Sequence, residues 1–288
     1  MKVTEDLRRR YAELSPALQQ VARYLLDHPS EVVTSSMRSV GTRAGSTPAT
    51  LVRFAQHVGY AGWPELKAAL TVDMGLGPDA YGARARQLVC RVRDHTLTDE
   101  MFEVQRGNLE LTQRQVAPAL LKACALLEKA PQVHAAGFRA CLPIAFSFFY
   151  VYRMFRSSVQ LVDGQGGTLE MQQRAFAKGD AVLVASFVPY SREALQVAQA
   201  AKAAGCKLLA VTDSVASPLS LIADETLLFA IRSPSFFPSV AAGVAVVEAL
   251  VELLASRAGK AVVRRIDQAE AQLFESGAYL QAPVRRGG

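Results

Sequence analysis

Between Val32 and Pro64 the chain carries Arg38, Arg43, Arg53 and His57 and not one acidic side chain. A surface of that composition can lie along a polyanion without repelling it. The same window holds Ser46-Thr47-Pro48 and then Leu51, Phe54, Ala55 and Val58 at i, i+3, i+4 and i+7, the apolar period of a helix. Subtracting that stripe leaves Ala49, Thr50, Arg53, Gln56 and His57 on the outer face, with Ser46 and Thr47 at the helix start. Small residues allow close approach, and Arg and Gln reach phosphates or base edges in a major groove. Open N–H groups at the helix N-terminus add affinity for a phosphate. Arg38, Arg43 and Lys67 are the further cationic candidates for this surface.

A second set of polar residues lies in the C-terminal half. The segments Gly137-Phe138-Arg139-Ala140-Cys141 and Ser186-Phe187-Val188-Pro189-Tyr190-Ser191 each follow a β-like run. They bring hydroxyls, one guanidinium and, at Ser191, the start of a helix. Enzymatic proton transfer beside such loops would need an acid or base. Glu193 sits in the first turn of a helix, where the dipole alone accounts for a carboxylate. His134 lies inside a strand and reads as a core histidine. Asp163 and Asp213 fall at strand ends, within reach of a ligand, but belong to no recognisable catalytic set. The sequence has no Walker loop, no H-E-x-x-H and no zinc pattern. Cys90, Cys124, Cys141 and Cys206 stand far apart without C-x-x-C spacing, which fits buried free thiols. No catalytic residue, metal site or cofactor is expected.

The elements that must position these residues follow from pattern. Ser15 and Pro16 form an N-cap and N1 pair, and Leu18, Val21, Ala22, Leu25 and Leu26 make a helical stripe that stops at His28-Pro29. A second helix over 36–44 turns Met37, Val40 and Ala44 inward, and Gly45 closes it as a left-handed cap. The Ser46 helix follows at once, and two helices joined by a tight glycine turn are a helix-turn-helix. The stretch GLGPDAYG at 75–82 reads as a linker. Helical character then runs over 101–129, with Leu109 and Val116 on one face. Pro118 opens a new helix whose stripe is Leu120, Leu121, Cys124 and Leu127.

From residue 131 onward, strands at 132–136, 158–162, 181–186, 207–212 and 225–230 alternate with helices at 140–156, 168–176, 191–204, 217–222 and 236–257. That alternation predicts a five-stranded, doubly wound parallel sheet, whose ligands sit outside the carboxyl ends of the strands. In the last helix Val240, Val244, Val247 and Val251 pack on the sheet, or alternatively on a second copy of the chain.

Composition limits the choices further. The chain of 288 residues is 50% hydrophobic, with a formal charge of +6. The excess is spread thinly, with nine Lys and Arg against seven Asp and Glu over residues 1–77, so basicity alone proves nothing. Apolar runs stop short of the ~20 residues a membrane span needs. Arg153 breaks the one from Leu142, and Glu248 and Glu252 break the one from Val240. The opening MKVTEDLRRR leads into no apolar core of a signal peptide, and a cytoplasmic location is expected.

Two segments carry a resemblance. LSPALQQVARYLLDHPSEV followed by RAGSTPATLVRFAQHVGYAGWPELKAAL resembles the helix-turn-helix domain of the RpiR family of bacterial transcription regulators. There, a turn with Gly-x-Ser, an S-x-A-T-x-x-R-F recognition helix, L/V-G-F/Y and P-E-L-K follow in the same order. GDAVLVASFVPYSREALQVAQAAKAAGCKLLAVTDSVASPLSLIADETLLF and the later FFPS are similar to the SIS (sugar isomerase) domain, which in these regulators senses phosphorylated sugars.

The resemblance implies an all-α helix-turn-helix domain over 1–77, a linker and connecting helix over 78–107, and a SIS-like α/β domain for effector sensing and oligomerisation over 108–288. It implies double-stranded operator DNA as one partner, a sugar phosphate or other small anion as effector, and a homodimer or homotetramer. Two loops depart from the family pattern. Arg139 stands at the second glycine and Cys141 at the serine of G-x-G-x-S. Val188 and Pro189 replace a hydroxyl and a backbone N–H in S-F-S-G-Y-S. Gly137, Phe138, Arg139, Ala140, Cys141, Ser186, Tyr190, Ser191, Glu193, Asp163 and Asp213 are the effector-site candidates. Two other readings are a sugar-phosphate isomerase and a ligand-independent repressor whose second half only dimerises.

Overall fold

Proline sets the helix starts of the N-terminal half. In a computed structural model, which describes residues 3–73, 80–91 and 96–280, six helices come first. They are α1 (Val3–Arg10), α2 (Pro16–Asp27), α3 (Pro29–Thr34), α4 (Met37–Arg43), α5 (Pro48–His57) and α6 (Trp63–Asp73). The prolines opening α2, α3 and α5 have φ preset for a helix, and the N–H they lack would have had no partner there. Helices this short are marginal alone. Here Leu7, Val21, Leu25, Leu51, Phe54 and Trp63 bury one face of each long helix in a common core. Pro29 does stop α2 as the sequence suggests, but it also starts α3, which periodicity over six residues could not reveal.

Next come α7 (Ala80–Val89) and α8 (Leu97–Lys129). Of the stretch read as a linker, residues 80–82 are helical and the rest lies outside the described residues. Pro118 does not open a new helix; it sits inside α8. The backbone hydrogen bond it forfeits is outweighed by Val116, Ala123, Cys124 and Leu127, buried on either side. The inward face of α8 also differs from the expected one, for Leu109 and Leu121 are 42% and 58% exposed while Asn108 and Thr112 are buried. Each polar side chain makes one hydrogen bond, and the Asn108 Oδ1 is left without a partner. Asn108 donates to the Arg232 carbonyl at 2.7 Å, and the Thr112 hydroxyl accepts from the Ala230 N–H at 2.9 Å. Hydrophobic spacing cannot identify a face buried through hydrogen bonds.

The sheet is built from β1 (Val133–Gly137), β2 (Val159–Val162), β3 (Ala181–Ala185), β4 (Lys207–Thr212) and β5 (Glu225–Leu228). All pairs are parallel in the order β2-β1-β3-β4-β5, so the winding reverses between β1 and β3. Between and after the strands lie α9 (Leu142–Arg153), α10 (Leu169–Arg174), α11 (Arg192–Ala203), α12 (Ala241–Arg257) and α13 (Lys260–Glu275). Alternate residues serve opposite faces. Val133, Ala135, Leu183 and Ala185 pack with residues of α8, α9 and α12, whereas Ala136, Val182 and Val184 pack with α11. Val247 and Val251 are buried in the first of these layers and Val240 and Val244 pack against it, so the sheet and its helices take the stripe of α12.

Three segments differ from the sequence expectation. Residues 217–222 are turns instead of a helix, held by Ser217 and Ser220, whose hydroxyls bond Ser220 N–H and the Ser214 carbonyl at 3.0 and 2.9 Å. Such local bonds compete with a helical ladder. The last apolar helix begins at Ala241 and not at 236, because Pro238 keeps the residue before it out of the helical region. The sequence reading did not place α13, although Val262, Ile266, Ala269 and Leu273 recur there at helical spacing. Among the described residues no helix is long and apolar enough to cross a membrane.

Phe148 on α9 is fully buried at the centre of the layer beneath the sheet. Phe148→Ala is expected to lower stability by about 3–5 kcal/mol, read as a lower midpoint in a urea titration with an unchanged slope.

Candidate nucleic-acid interface and effector cavity

The α4–α5 turn is short because its backbone closes on itself. The Ala44 N–H bonds the Val40 carbonyl and the Ser46 N–H the Gly41 carbonyl, each at 2.8 Å, around Gly45 at φ 61°. A β-carbon at Gly45 would be strained and would press on the Gln20 amide of α2. Thr47 caps α5, its hydroxyl accepting from the Thr50 N–H at 3.2 Å. With Leu51, Phe54 and Ala55 buried, Thr47, Ala49, Arg53, Gln56 and His57 are exposed and Ser46 and Thr50 half-buried. Arg38 is exposed on α4.

Two cations of the expected set are committed elsewhere. Arg43 pairs with Glu31, whose burial alone would raise its carboxyl but which Arg43 holds below the usual range. Lys67 donates to the Ser35 carbonyl at 2.7 Å just past α3, where burial lowers its ammonium pKa. These residues brace the domain's helices. The sequence reading missed Arg10, which reaches across to the end of α5 and donates to the His57 and Val58 carbonyls at 3.1 and 3.4 Å. A guanidinium there satisfies open carbonyls and favours the negative end of the helix dipole. In a run of three arginines, nothing local distinguished it.

In the sheet domain, the loops after β1 and β3 meet at the point where the winding reverses, and a cavity of about 410 Å³ opens between them. Phe138, Arg139, Ala140 and Cys141 line it from one side. Ser186, Phe187, Pro189, Tyr190, Ser191 and Arg192 line it from the other, with Phe237 and Tyr81 completing the wall. Gly137 lies behind, and a β-carbon on it would collide with the Cys141 carbonyl. Ser186 accepts from the Ser191 N–H at 3.3 Å, and Ser191 in turn caps α11 by accepting from Ala194 N–H at 3.1 Å. Cys141 is buried, and burial pushes its thiol up to about 12, so it stays protonated and unreactive.

Arg139 keeps the left-handed backbone of a glycine, φ 55°, and its Nη2 donates to Glu193 Oε1 at 2.8 Å. The backbone N–H groups at the start of α11 and the Arg139 charge together hold the Glu193 carboxyl below its ordinary range. Asp213 stands behind the wall beside Tyr190. Burial raises its carboxyl, and burial with that carboxylate raises the Tyr190 hydroxyl. The two lie close enough to interact. Asp163 is not brought to the cavity. Its carboxylate accepts from the Gln165 N–H and the Gln172 amide at 3.1 and 3.3 Å, closing the loop after β2. His134 is buried, 3.4 Å from Asp180 and edge-on to Phe176. Tyr81, Phe237 and Arg192 were not singled out from sequence. Tyr81 reaches the cavity only through the placement of α7, its ring centroid 5.1 Å from that of Phe237.

Residues 1–75 match the helix-turn-helix domain of the rpiR family, and residues 126–253 match the SIS domain. The chain is 27% identical over 222 residues to the HTH-type transcriptional regulator HexR of Pseudomonas aeruginosa, a match spanning 75% of this chain and 74% of that protein. Its fold is similar to the sugar isomerase domain of an RpiR transcription factor from Sphaerobacter thermophilus. That match has 24% identity and a TM-score of 0.55, covering 64% of this chain and 100% of that one. It is also similar to the Vibrio vulnificus NanR protein complexed with ManNAc-6P, with 19% identity and a TM-score of 0.61, covering 96% and 99%. A helix-turn-helix unit followed by a doubly wound SIS sheet defines a transcription regulator. Its N-terminal domain is an rpiR-family helix-turn-helix and its second a SIS domain, and the chain is similar to the regulators of the RpiR family.

The backbone at residue 139 is measurable by substitution. A left-handed conformation costs a residue with a β-carbon roughly 1–2 kcal/mol and glycine almost nothing. Arg139→Gly is therefore expected to be more stable than Arg139→Ala by about that amount. Thermal melts of the two variants check it, and equal midpoints would contradict the φ of 55°.

Proposed function

We propose that α5 enters the major groove of an operator and that the cavity between the β1 and β3 loops holds a small polar or anionic effector that alters operator binding. Ser46, Thr47, Ala49, Thr50, Arg53, Gln56 and His57 form the groove-facing set, with Arg38 placed for a phosphate. The observation that carries the coupling is Tyr81. It belongs to α7, the helix between the DNA-binding residues and the sheet, yet it lines the cavity. A ligand that touches Tyr81 binds one placement of α7 better than another, and by linkage shifts operator affinity. The ManNAc-6P bound to NanR supports a small-molecule effector for the sheet domain. Pairing of two such chains over half-sites one helical turn apart, as a homodimer or homotetramer, is the arrangement that lets a shift of α7 change DNA contacts. Work on a chromosomal operator is done in the cytoplasm.

An isomerase role is disfavoured by the lining itself. Proton abstraction next to a carbonyl needs a free base within hydrogen-bond reach. Glu193 is ion-paired through Oε1 with Arg139, which lowers its basicity, Asp163 is taken up by its own loop, and Asp213 is not among the residues that line the cavity.

Arg53→Ala is expected to weaken specific operator binding by about 1–3 kcal/mol with an unchanged melting temperature, read by fluorescence anisotropy on an operator selected from genomic fragments. Unchanged affinity in both Arg53→Ala and Gln56→Ala would refute α5 as the recognition helix.

A further inference from the structure

A second concavity lies at the other end of the sheet. It encloses about 790 Å³ and is bounded by the end of α8, the segment from α9 into β2, the end of α12 and the first turns of α13. Glu128 shortly precedes β1 and Ser158 directly precedes β2. The space therefore opens at the amino ends of these strands, away from the effector cavity at their carboxyl ends.

Three arginines line it, Arg156, Arg257 and Arg265, against one carboxylate, Glu128. Glu128 stays ionised, because Arg257 holds its carboxyl below the usual range. The lining thus keeps two uncancelled positive charges, which repel one another in a shared concave wall and attract an anion to it.

The arginines are not equally engaged. Arg156 is spent on the fold, donating to the Ser158 hydroxyl at 2.9 Å, to the Tyr152 hydroxyl and the Leu127 carbonyl at 2.8 Å each, and to the Ala130 carbonyl. Arg257 gives two N–H groups to Glu128, at 2.6 and 3.0 Å. Arg265 gives one to the Phe155 carbonyl at 3.1 Å. Each guanidinium has five N–H donors, so Arg257 and Arg265 keep most of theirs. Two hydroxyls join them. Ser158 accepts from Arg156, which leaves its own proton to donate, and Ser157 is exposed beside it.

Donors therefore come from three elements, the α9–β2 segment, α12 and α13. A tetrahedral oxyanion presents oxygens in several directions and can use them together, whereas a flat carboxylate is saturated by one fork. Phe155, Leu254 and Val262 supply apolar wall, and the volume leaves room for a body beyond the anion.

We propose that this concavity is a second ligand site, distinct from the effector cavity, which takes the phosphate dianion of a small phosphorylated molecule on Arg257, Arg265 and the hydroxyls of Ser157 and Ser158. Arg156 acts as a positioning residue that fixes the segment carrying the two serines. An occupied site ties α13 to α12 and to β2 at the edge of the sheet.

Calorimetric titration of the full chain at fixed ionic strength, with inorganic phosphate and glycerol 3-phosphate as probes and malonate as a flat dianion, tests it. At least one phosphate probe is expected to bind saturably and at least ten times more tightly than malonate. That affinity should fall at least tenfold in Arg265→Gln, which gives up a single hydrogen bond of the fold. It should rise at least threefold in Glu128→Gln, which removes the opposing carboxylate and frees the Arg257 fork. A purely structural role for these residues would not tighten binding. Hydrogen exchange on the same samples should slow in the α9–β2 segment and the first turns of α13 when phosphate binds. Absence of saturable binding, equal affinity for malonate, affinity unchanged in Arg265→Gln or not raised in Glu128→Gln, or protection confined to the loops after β1 and β3 would each overturn the proposal.

Discussion

The parallel pairing of β1 with β3, in register from Val133 opposite Ala181 to Gly137 opposite Ala185, is the constraint on which the effector cavity depends. Consecutive strands normally send their connections to the same side, and only where the winding reverses do two strand ends open into a crevice. Gly137 ends β1 so tightly against Cys141 that no β-carbon fits. The following loop therefore turns at once into α9, and Arg139 takes up the position that faces Glu193 across the gap. Moving either strand by one residue would exchange the two faces of the sheet, bury the polar loop residues and dismantle both core layers.

The DNA-binding half obeys a different constraint. Its helices are too short to hold themselves and lean on one core, with their ends tied by side chains drawn from distant positions. Arg10 closes the end of α5, Lys67 the segment after α3, and Arg43 meets Glu31. Charge that looks available along the sequence is thus divided. Arg53 and Arg38 face outward, while Arg43 and Lys67 hold the helices around α5. A basic window is therefore a poor count of phosphate contacts.

Between the halves, α7 and α8 do more than connect. The buried polar residues of α8 receive the chain leaving β5, and Tyr81 of α7 forms part of the cavity wall. A regulator needs some residue that belongs to one half and touches the ligand of the other, because coupling is a difference in contacts between two arrangements. In the coupling proposed above Tyr81 takes that part from the element that joins the halves, and its ring contact with Phe237 gives it an apolar surface.

Much of this was legible in the order of residues. Helix α5, its start at Ser46-Thr47-Pro48 and the left-handed Gly45 follow from spacing and from the few residue types that tolerate those conformations. The five strands and their order of alternation follow from short apolar runs between helical ones. Chemistry carried by neighbouring residues survives being read in one dimension. What tertiary structure alone decided is which distant groups meet. Arg139 with Glu193, Arg10 with the end of α5, Asn108 and Thr112 with the strand exit, and Tyr81 in the cavity all join residues whose partners lie from 47 to more than a hundred positions away or on another element. Asp163 sits at a strand end like any ligand-binding carboxylate, yet its loop folds back and occupies it. Local sequence sets conformation because sterics and periodic burial act over a few residues, whereas a site is a meeting of separate segments, and that meeting exists only once the cores on both faces of the sheet have closed.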